Sequence, residues 1–95
     1  MDSRGFRFTD DVAFREIGGE YHFLTSDNVY HSVRDPVGAL ILGIVEKRPG
    51  VTTHELAKAV RAEFEVGADQ AEADVAEFLD GLVARRILED AGRSS

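Results

Sequence analysis

The chain has 95 residues, 43% of them hydrophobic and 31% charged, which suits one globular domain with a single modest core. Its 18 acidic and 11 basic side chains give a net charge of −7, which disfavours non-specific binding to nucleic acid or to an anionic membrane. The chain has no cysteine, no apolar run of the ~20 residues that a membrane helix needs and no signal-peptide layout, so we expect a cytoplasmic protein without disulfides or thiolate metal sites.

The N-terminal residues 1–11 are polar apart from two alternating aromatic residues, Phe6 and Phe8. Two interpretations stay open for them: a loose arm with two aromatic anchors, or a strand laid against the domain. We divide the chain into an N-terminal arm over residues 1–11, a domain over residues 12–90 and a disordered tail over residues 91–95.

Three short runs with strand-like alternation follow, over residues 12–17, 20–25 and 29–33. The pair Gly18-Gly19 joins the first two, and it is favoured in tight hairpin turns because both central positions need a positive φ. A cluster of turn-forming residues separates the second run from the third. These features predict an antiparallel meander, in which the first and third strands are edges.

The side chains of the third predicted strand alternate between the two faces of the sheet. Val29, His31 and Val33 share one face, and Tyr30 and Ser32 share the other. An edge strand presents unpaired N–H and C=O groups, to which an extended peptide can add as a further strand.

Three amphipathic helices are predicted after the strands. Asp35 is a good N-cap residue and Pro36 suits the first helical position, so the first helix begins there and ends before Pro49. Its apolar residues follow the spacing of one buried stripe: Val37, Leu40, Ile41, Ile44 and Val45. Thr52 and Glu55 form a capping box at the start of the second helix.

Two glycines, Gly38 and Gly43, lie inside the first predicted helix. We interpret them as positions of close packing against a neighbour rather than as ligand contacts. Further along, Ile87 and Leu88 follow the last helix and are expected to pack back onto the core.

The third predicted helix starts at a weaker capping signal, in which Asp69 is followed three residues later by Glu72. Its apolar stripe should form one wall of a groove beside the third strand. The helix carries five acidic side chains and no basic one before Arg85. Phosphate contacts on DNA require Lys or Arg, so this charge opposes DNA binding although the order of the helices suits it.

The fold class that follows is α+β and winged-helix-like: a three-stranded antiparallel β-sheet followed by a three-helix bundle. No catalytic constellation is recognisable within it. The histidines His22, His31 and His54 lack metal-ligand spacing, and His31 and Ser32 point to opposite faces of their strand, so they do not form a nucleophile–base pair. We expect no enzymatic activity, no metal and no cofactor.

Several segments, taken in order, resemble the PqqD-like proteins, the small chaperones of pyrroloquinoline quinone biosynthesis. These segments are the three strands, PVGALI at residues 36–41, a helix entered at residues 52–56, ADVAEFL at residues 73–79 and LVARRIL at residues 82–88. The chain is also similar to the stand-alone recognition proteins of lasso-peptide pathways, which share a domain called the RiPP precursor peptide recognition element. The resemblance covers about residues 12–90. It departs from the family at position 86, which is Arg where relatives commonly have Gly.

The resemblance implies a peptide-binding protein without catalytic residues. It would bind the leader segment of a ribosomally synthesised precursor peptide by β-strand addition and present it to a modifying enzyme, such as a radical S-adenosylmethionine (SAM) enzyme or a leader peptidase. Neither nucleic acid nor a membrane is an implied partner. The implied peptide-binding residues are Val29, Tyr30, His31, Ser32, Val33, Val75, Phe78, Leu79 and Leu82.

Two alternative functions stay open. One is a winged-helix DNA-binding regulator, which only the order of the helices supports. The other is a self-pairing adaptor or dimerisation domain that uses the edge of the third strand to pair with a second copy.

Overall fold

The computed structural model describes residues 4–91, which form three helices and six strands around one core. The helices are α1 (Pro36–Lys47), α2 (Thr53–Glu63) and α3 (Ala68–Ala84). The strands are β1 (Gly5–Phe8), β2 (Ala13–Ile17), β3 (Glu20–Leu24), β4 (Tyr30–Val33), β5 (Val51–Thr52) and β6 (Leu88–Asp90). The α+β class is confirmed, and no described helix is long and apolar enough to cross a membrane.

The predicted meander is confirmed as an antiparallel sheet in the order β2-β3-β4. Gly18 and Gly19 both have positive φ, 58° and 86°, as the two-residue turn between β2 and β3 requires. Phe23 on β3 faces the core, and it lies opposite Phe14 on β2 and His31 on β4. Within the described sheet, β2 and β4 are the edge strands.

A second antiparallel sheet, in the order β5-β1-β6, was not predicted. β1 lies at its centre and pairs with two short strands from distant parts of the chain. Phe6 on β1 is fully buried, and the ring of Phe8 stacks on Phe14 with centroids 4.5 Å apart. Of the two interpretations of the N-terminus, the strand laid against the domain is the one observed for residues 5–8. Of the tail predicted over residues 91–95, only Ala91 lies within the described residues.

The starts of the first two helices follow the sequence signals. The Asp35 carboxylate accepts a hydrogen bond from the backbone N–H of Gly38 at 3.0 Å. The Thr52–Glu55 capping box is present: Thr52 N–H donates to the Glu55 carboxylate at 3.0 Å, and Glu55 N–H donates to the Thr52 hydroxyl at 3.2 Å. The capping signal predicted at Asp69 is wrong. The N-cap of α3 is Gly67, without a side-chain cap, and Asp69 lies inside the first turn.

The turn after α3 returns the chain to the core. Arg86 adopts a left-handed conformation with φ 65°, its N–H donates to Val83 C=O, and Ile87 N–H donates to Leu82 C=O at 2.9 Å. This pair of bonds is a Schellman motif, which satisfies carbonyls at the end of a helix. Ile87 and Leu88 are both buried, which confirms that they pack onto the core.

Candidate functional site

The free edge of β4 is the most distinctive backbone feature of the described residues. Thr25 N–H donates to Val29 C=O at 3.0 Å, so these two residues form a hydrogen-bonded pair at the β3–β4 turn. Hydrogen-bonded pairs alternate along an antiparallel ladder, so His31 directs its backbone groups toward β3. Tyr30 and Ser32 therefore direct their N–H and C=O groups outward, to the free edge.

A groove of ≈ 490 Å³ lies between this edge and α3. One wall consists of the four residues of β4. The other wall is a stripe of α3 with the three- and four-residue spacing of one helical face: Glu77, Phe78, Gly81, Leu82 and Arg85. The groove thus combines outward-pointing backbone groups, apolar side chains and one side chain of each charge.

The structure brings most of the predicted binding residues to this groove, but not all of them. The residues that line it are Tyr30, His31, Ser32, Val33, Phe78 and Leu82. Val29 precedes β4 and is 42% exposed. Leu79 is 0% exposed and supports α3 from the core side. Val75 is 1% exposed and lines a separate apolar pocket instead of this groove.

Three groove residues were missed by the sequence analysis: Glu77, Gly81 and Arg85. The signal that would have found them is their helical spacing from Phe78 and Leu82, since residues three or four apart lie on one face. Two of the three are charged and the third is a glycine, so the pattern of apolar residues does not include them.

An apolar pocket of ≈ 400 Å³ adjoins the groove, and Phe78 borders both cavities. All three helices and the α2–α3 connection contribute to its walls. It is lined by Asp35, Val37, Gly38, Ile41, Val60, Phe64, Val66, Ala71, Asp74, Val75 and Phe78. Such an apolar space with few polar groups suits one hydrophobic side chain of a ligand.

The two cavities carry an uneven distribution of charge. The carboxylates of Asp35 and Asp74 lie at the apolar pocket, and Asp74 accepts a hydrogen bond from the Gln70 amide at 2.7 Å. At the other end of the groove, an Arg85 guanidinium N–H donates to the Gly81 carbonyl at 3.0 Å. Charge therefore changes sign along the α3 wall.

Two of the three histidines have side-chain partners. His22 on β3 makes a short hydrogen bond with the Tyr30 hydroxyl, and the two rings stack. His54 on α2 contacts the Glu72 carboxylate on α3 at 2.8 Å. Within residues 4–91, no group of three or more potential ligands could hold a metal ion.

Comparison with known proteins gives a family and two similar solved structures. The model of the family described as coenzyme PQQ synthesis protein D (PqqD) matches residues 27–88. The structure of TbiB1 in complex with the TbiA(beta) leader peptide is similar, with a TM-score of 0.80 and 28% identity over 94% of this chain and 99% of that chain. Lasso peptide synthetase B1, complexed with the leader peptide, has a TM-score of 0.76 and 21% identity over 90% and 98%. No curated protein matches the chain significantly.

Proposed function

The chain belongs to the family of coenzyme PQQ synthesis protein D, and we propose that it binds the leader segment of a ribosomally synthesised precursor peptide. The observation that carries this proposal is the free edge of β4, which faces a groove walled by α3. The likeness to TbiB1, a protein solved in complex with a leader peptide, supports it over nearly the whole length of both chains.

The leader would add to the meander as a fourth strand beside β4. Its backbone would exchange hydrogen bonds with the outward N–H and C=O groups of Tyr30 and Ser32, which supply affinity without reading sequence. Because strand side chains alternate, every second residue of the leader would face α3. There Phe78 and Leu82 offer apolar contact, and the adjoining pocket accepts a larger apolar side chain.

The binding role is one of presentation. A bound leader is held in one extended conformation and one register, which gives a modifying enzyme a defined substrate. We propose a radical SAM enzyme or a leader peptidase as that enzyme, with this chain contributing no catalytic group. Since ribosomal peptides are made in the cytoplasm, the proposal assigns the chain to that compartment.

The alternative of DNA binding has no observation in its favour beyond the order of the helices. Residues 68–84, which form α3, contain five acidic side chains and neither Lys nor Arg. Since phosphate contacts supply most of the affinity for DNA, this helix would repel a duplex.

The free β4 edge also suits pairing with a second copy of the chain. The test therefore includes a measurement of the molecular mass in solution.

The test is an NMR titration of the ¹⁵N-labelled chain with a synthetic leader peptide from the precursor encoded beside it. We expect amide shifts concentrated at Tyr30–Val33 and along residues 74–85 of α3. A peptide of the same composition in scrambled order should leave those amides unmoved. Absence of shifts at high excess of the leader, or equal shifts with the scrambled peptide, would overturn the proposal. Sedimentation over a range of concentrations tests self-pairing, which predicts a mass that rises with concentration.

A further inference from the structure

We propose that the groove selects its leader by the order of charges along the peptide. The segment that it takes carries an apolar residue and, two positions away on the same face of the strand, a Lys or Arg at the end formed by Asp35 and Asp74, with an acidic residue at the end formed by Arg85. This inference rests on the proposed function and names the chemical class of leader that the same site accepts.

The first step is the geometry of the α3 wall. Asp74, Phe78, Gly81 and Arg85 succeed one another at three- or four-residue spacing, so they lie along one face of the helix. Arg85 follows Asp74 by eleven positions, which corresponds to roughly 16 Å at ~1.5 Å per residue. An extended strand of about five residues covers the same distance at ~3.3 Å per residue. Both ends of the wall are therefore within reach of one short bound segment.

The second step is the chemistry of the acidic end. The two carboxylates of the apolar pocket, Asp35 and Asp74, come from different elements, and no basic side chain is among the residues that line it. Asp35 accepts from the Gly38 N–H and Asp74 from the Gln70 amide, and neither is in an ion pair within residues 4–91. When one ligand residue fills the pocket, the residue two positions away lies on the same face of the strand and is brought to these carboxylates. A Lys or Arg there lays its aliphatic stem on apolar surface and its charge beside them.

The third step is the chemistry of the basic end of the groove, at Arg85. Arg85 is exposed and uses one guanidinium N–H for the Gly81 carbonyl, which leaves further donors in the planar fork for a carboxylate. An acidic side chain about four residues from the apolar anchor lies on the same face of the strand and would meet it. The carboxylate of Glu77, between the two ends on the same wall, opposes a second acidic residue near the middle of the segment.

The expected change in the dissociation constant is small because the charged side chains lie at the protein surface. Ion pairs at a protein surface contribute little, so each matched charge should change the dissociation constant by about two- to fivefold. Backbone pairing and the apolar anchor supply most of the affinity. The charges then discriminate among peptides that make both of these interactions. A reversed order of charges places like charges together at both ends, and we expect it to weaken binding by about tenfold or more.

The experiment is selection of a displayed library of random twelve-residue peptides on three forms of the full chain: wild type, Asp74→Lys and Asp69→Lys. The two variants have the same net charge, but Asp69 lies in the first turn of α3 and lines neither cavity. Any enrichment of basic peptides that comes only from the overall charge of −7 will therefore change equally in both variants.

We expect wild type and Asp69→Lys to enrich an apolar residue with a Lys or Arg two positions away, and Asp74→Lys to lose that preference. An enriched peptide and its Lys→Gln analogue should differ two- to fivefold in dissociation constant on wild type, by fluorescence anisotropy, and not on Asp74→Asn. Equal preferences in all three forms, or enriched sequences without a basic residue at that spacing, would overturn the charge rule and leave peptide binding standing. Failure of every form to enrich any sequence would overturn both.

Discussion

The Phe78 ring of α3 lies against the bare α-carbon of Gly38 in α1: a Cβ built on Gly38 would be 3.1 Å from Cε1 and Cζ of that ring. The same Cβ would be 2.7 Å from Cγ1 of Val33, the last residue of β4. Phe78 borders both the groove and the apolar pocket. The absence of a side chain at Gly38 therefore lets Phe78 and the end of β4 pack closely on α1, which confirms its interpretation as a close-packing position. The same interpretation is wrong for Gly43, where a Cβ would meet only the Tyr21 hydroxyl at 3.5 Å.

A methyl group at Gly38 should disturb the groove. Gly→Ala inside a helix ordinarily stabilises by about 0.5–1 kcal/mol, but crowding in a packed site costs about 1–3 kcal/mol. We expect Gly38→Ala to be neutral or destabilising by up to about 2 kcal/mol and to weaken leader binding. Gly43→Ala is the matched control, because its Cβ would meet only the Tyr21 hydroxyl at 3.5 Å. Urea denaturation should show Gly43→Ala more stable than wild type, and equal changes in the two variants would contradict the packing argument.

The outward N–H of Ser32 should carry part of the affinity for a strand. Ser32→Pro deletes that donor, and proline is tolerated where an edge strand faces away from its neighbour. A typical hydrogen bond contributes about 0.5–1.5 kcal/mol, so we expect the dissociation constant of the leader to rise about three- to tenfold. Ser32→Ala keeps the N–H and removes only the hydroxyl. Calorimetric titration that finds the Pro and Ala variants equally tight would contradict the orientation of β4 given by its register.

Phe78 and Leu79 are neighbours on α3 with different roles. Leu79 is fully buried, so Leu79→Ala should lower the free energy of unfolding by about 2–5 kcal/mol, while the folded fraction keeps its leader affinity. Phe78 is half-buried at the groove, so Phe78→Ala should weaken leader binding about tenfold or more, with a smaller loss of stability. Urea denaturation measures the free energy of unfolding of each variant, and fluorescence anisotropy measures its affinity for the leader, so the two effects can be separated. The reverse ranking would assign the binding surface to another face of α3.

The left-handed residue after α3 is a site for stabilisation. Arg86 has φ 65°, which costs a residue with a Cβ about 1 kcal/mol or more, whereas glycine adopts it freely. Part of that gain is lost to the greater freedom of glycine in the unfolded chain, so we expect Arg86→Gly to stabilise by about 0.5–1 kcal/mol. The neighbouring Arg85 has φ −89°, and Arg85→Gly should destabilise instead. Thermal denaturation that finds both changes destabilising would refute this account.

The capping box of α2 should make stability depend on pH in the acidic range. The backbone N–H of Thr52, followed by its hydroxyl, lowers the pKa of the Glu55 carboxyl below its ordinary value of 4.5. A carboxyl whose pKa is lower in the folded state stabilises the fold above that ordinary value, and the contribution is lost as pH falls through the folded pKa. Glu55→Gln keeps an acceptor without the charge. The stability difference between wild type and Glu55→Gln should shrink below about pH 4.5, and a pH-independent difference would exclude the carboxylate as its source.

Local signals in the sequence were sufficient for much of the fold. Gly18-Gly19, Asp35-Pro36 and the Thr52–Glu55 box each define a turn or a helix start by bonds between residues close in the chain. Such bonds do not depend on the rest of the molecule. The meander and the first two helices followed from them, together with the periodicity of apolar residues, and α3 followed from that periodicity alone.

The binding surface was predicted only in part, because exposure depends on neighbours that are remote in sequence. Periodicity assigns Phe78 and Leu79 to the same broad apolar stripe, and only packing against α1 and β4 leaves one at the groove and the other in the core. The direction of the Ser32 N–H likewise depends on the register between β3 and β4.

The sequence by itself determined the α+β class, the meander with its free β4 edge, three helices and an acidic α3. Only the tertiary structure decided that β1 forms the centre of a second sheet with β5 and β6, and that Phe6 is buried beneath it. Strands of two to four residues carry too little pattern to be recognised alone. The register of β1 and β6 places residues as far apart as Phe8 and Leu88 opposite each other, so this pairing depends on segments that are remote in sequence.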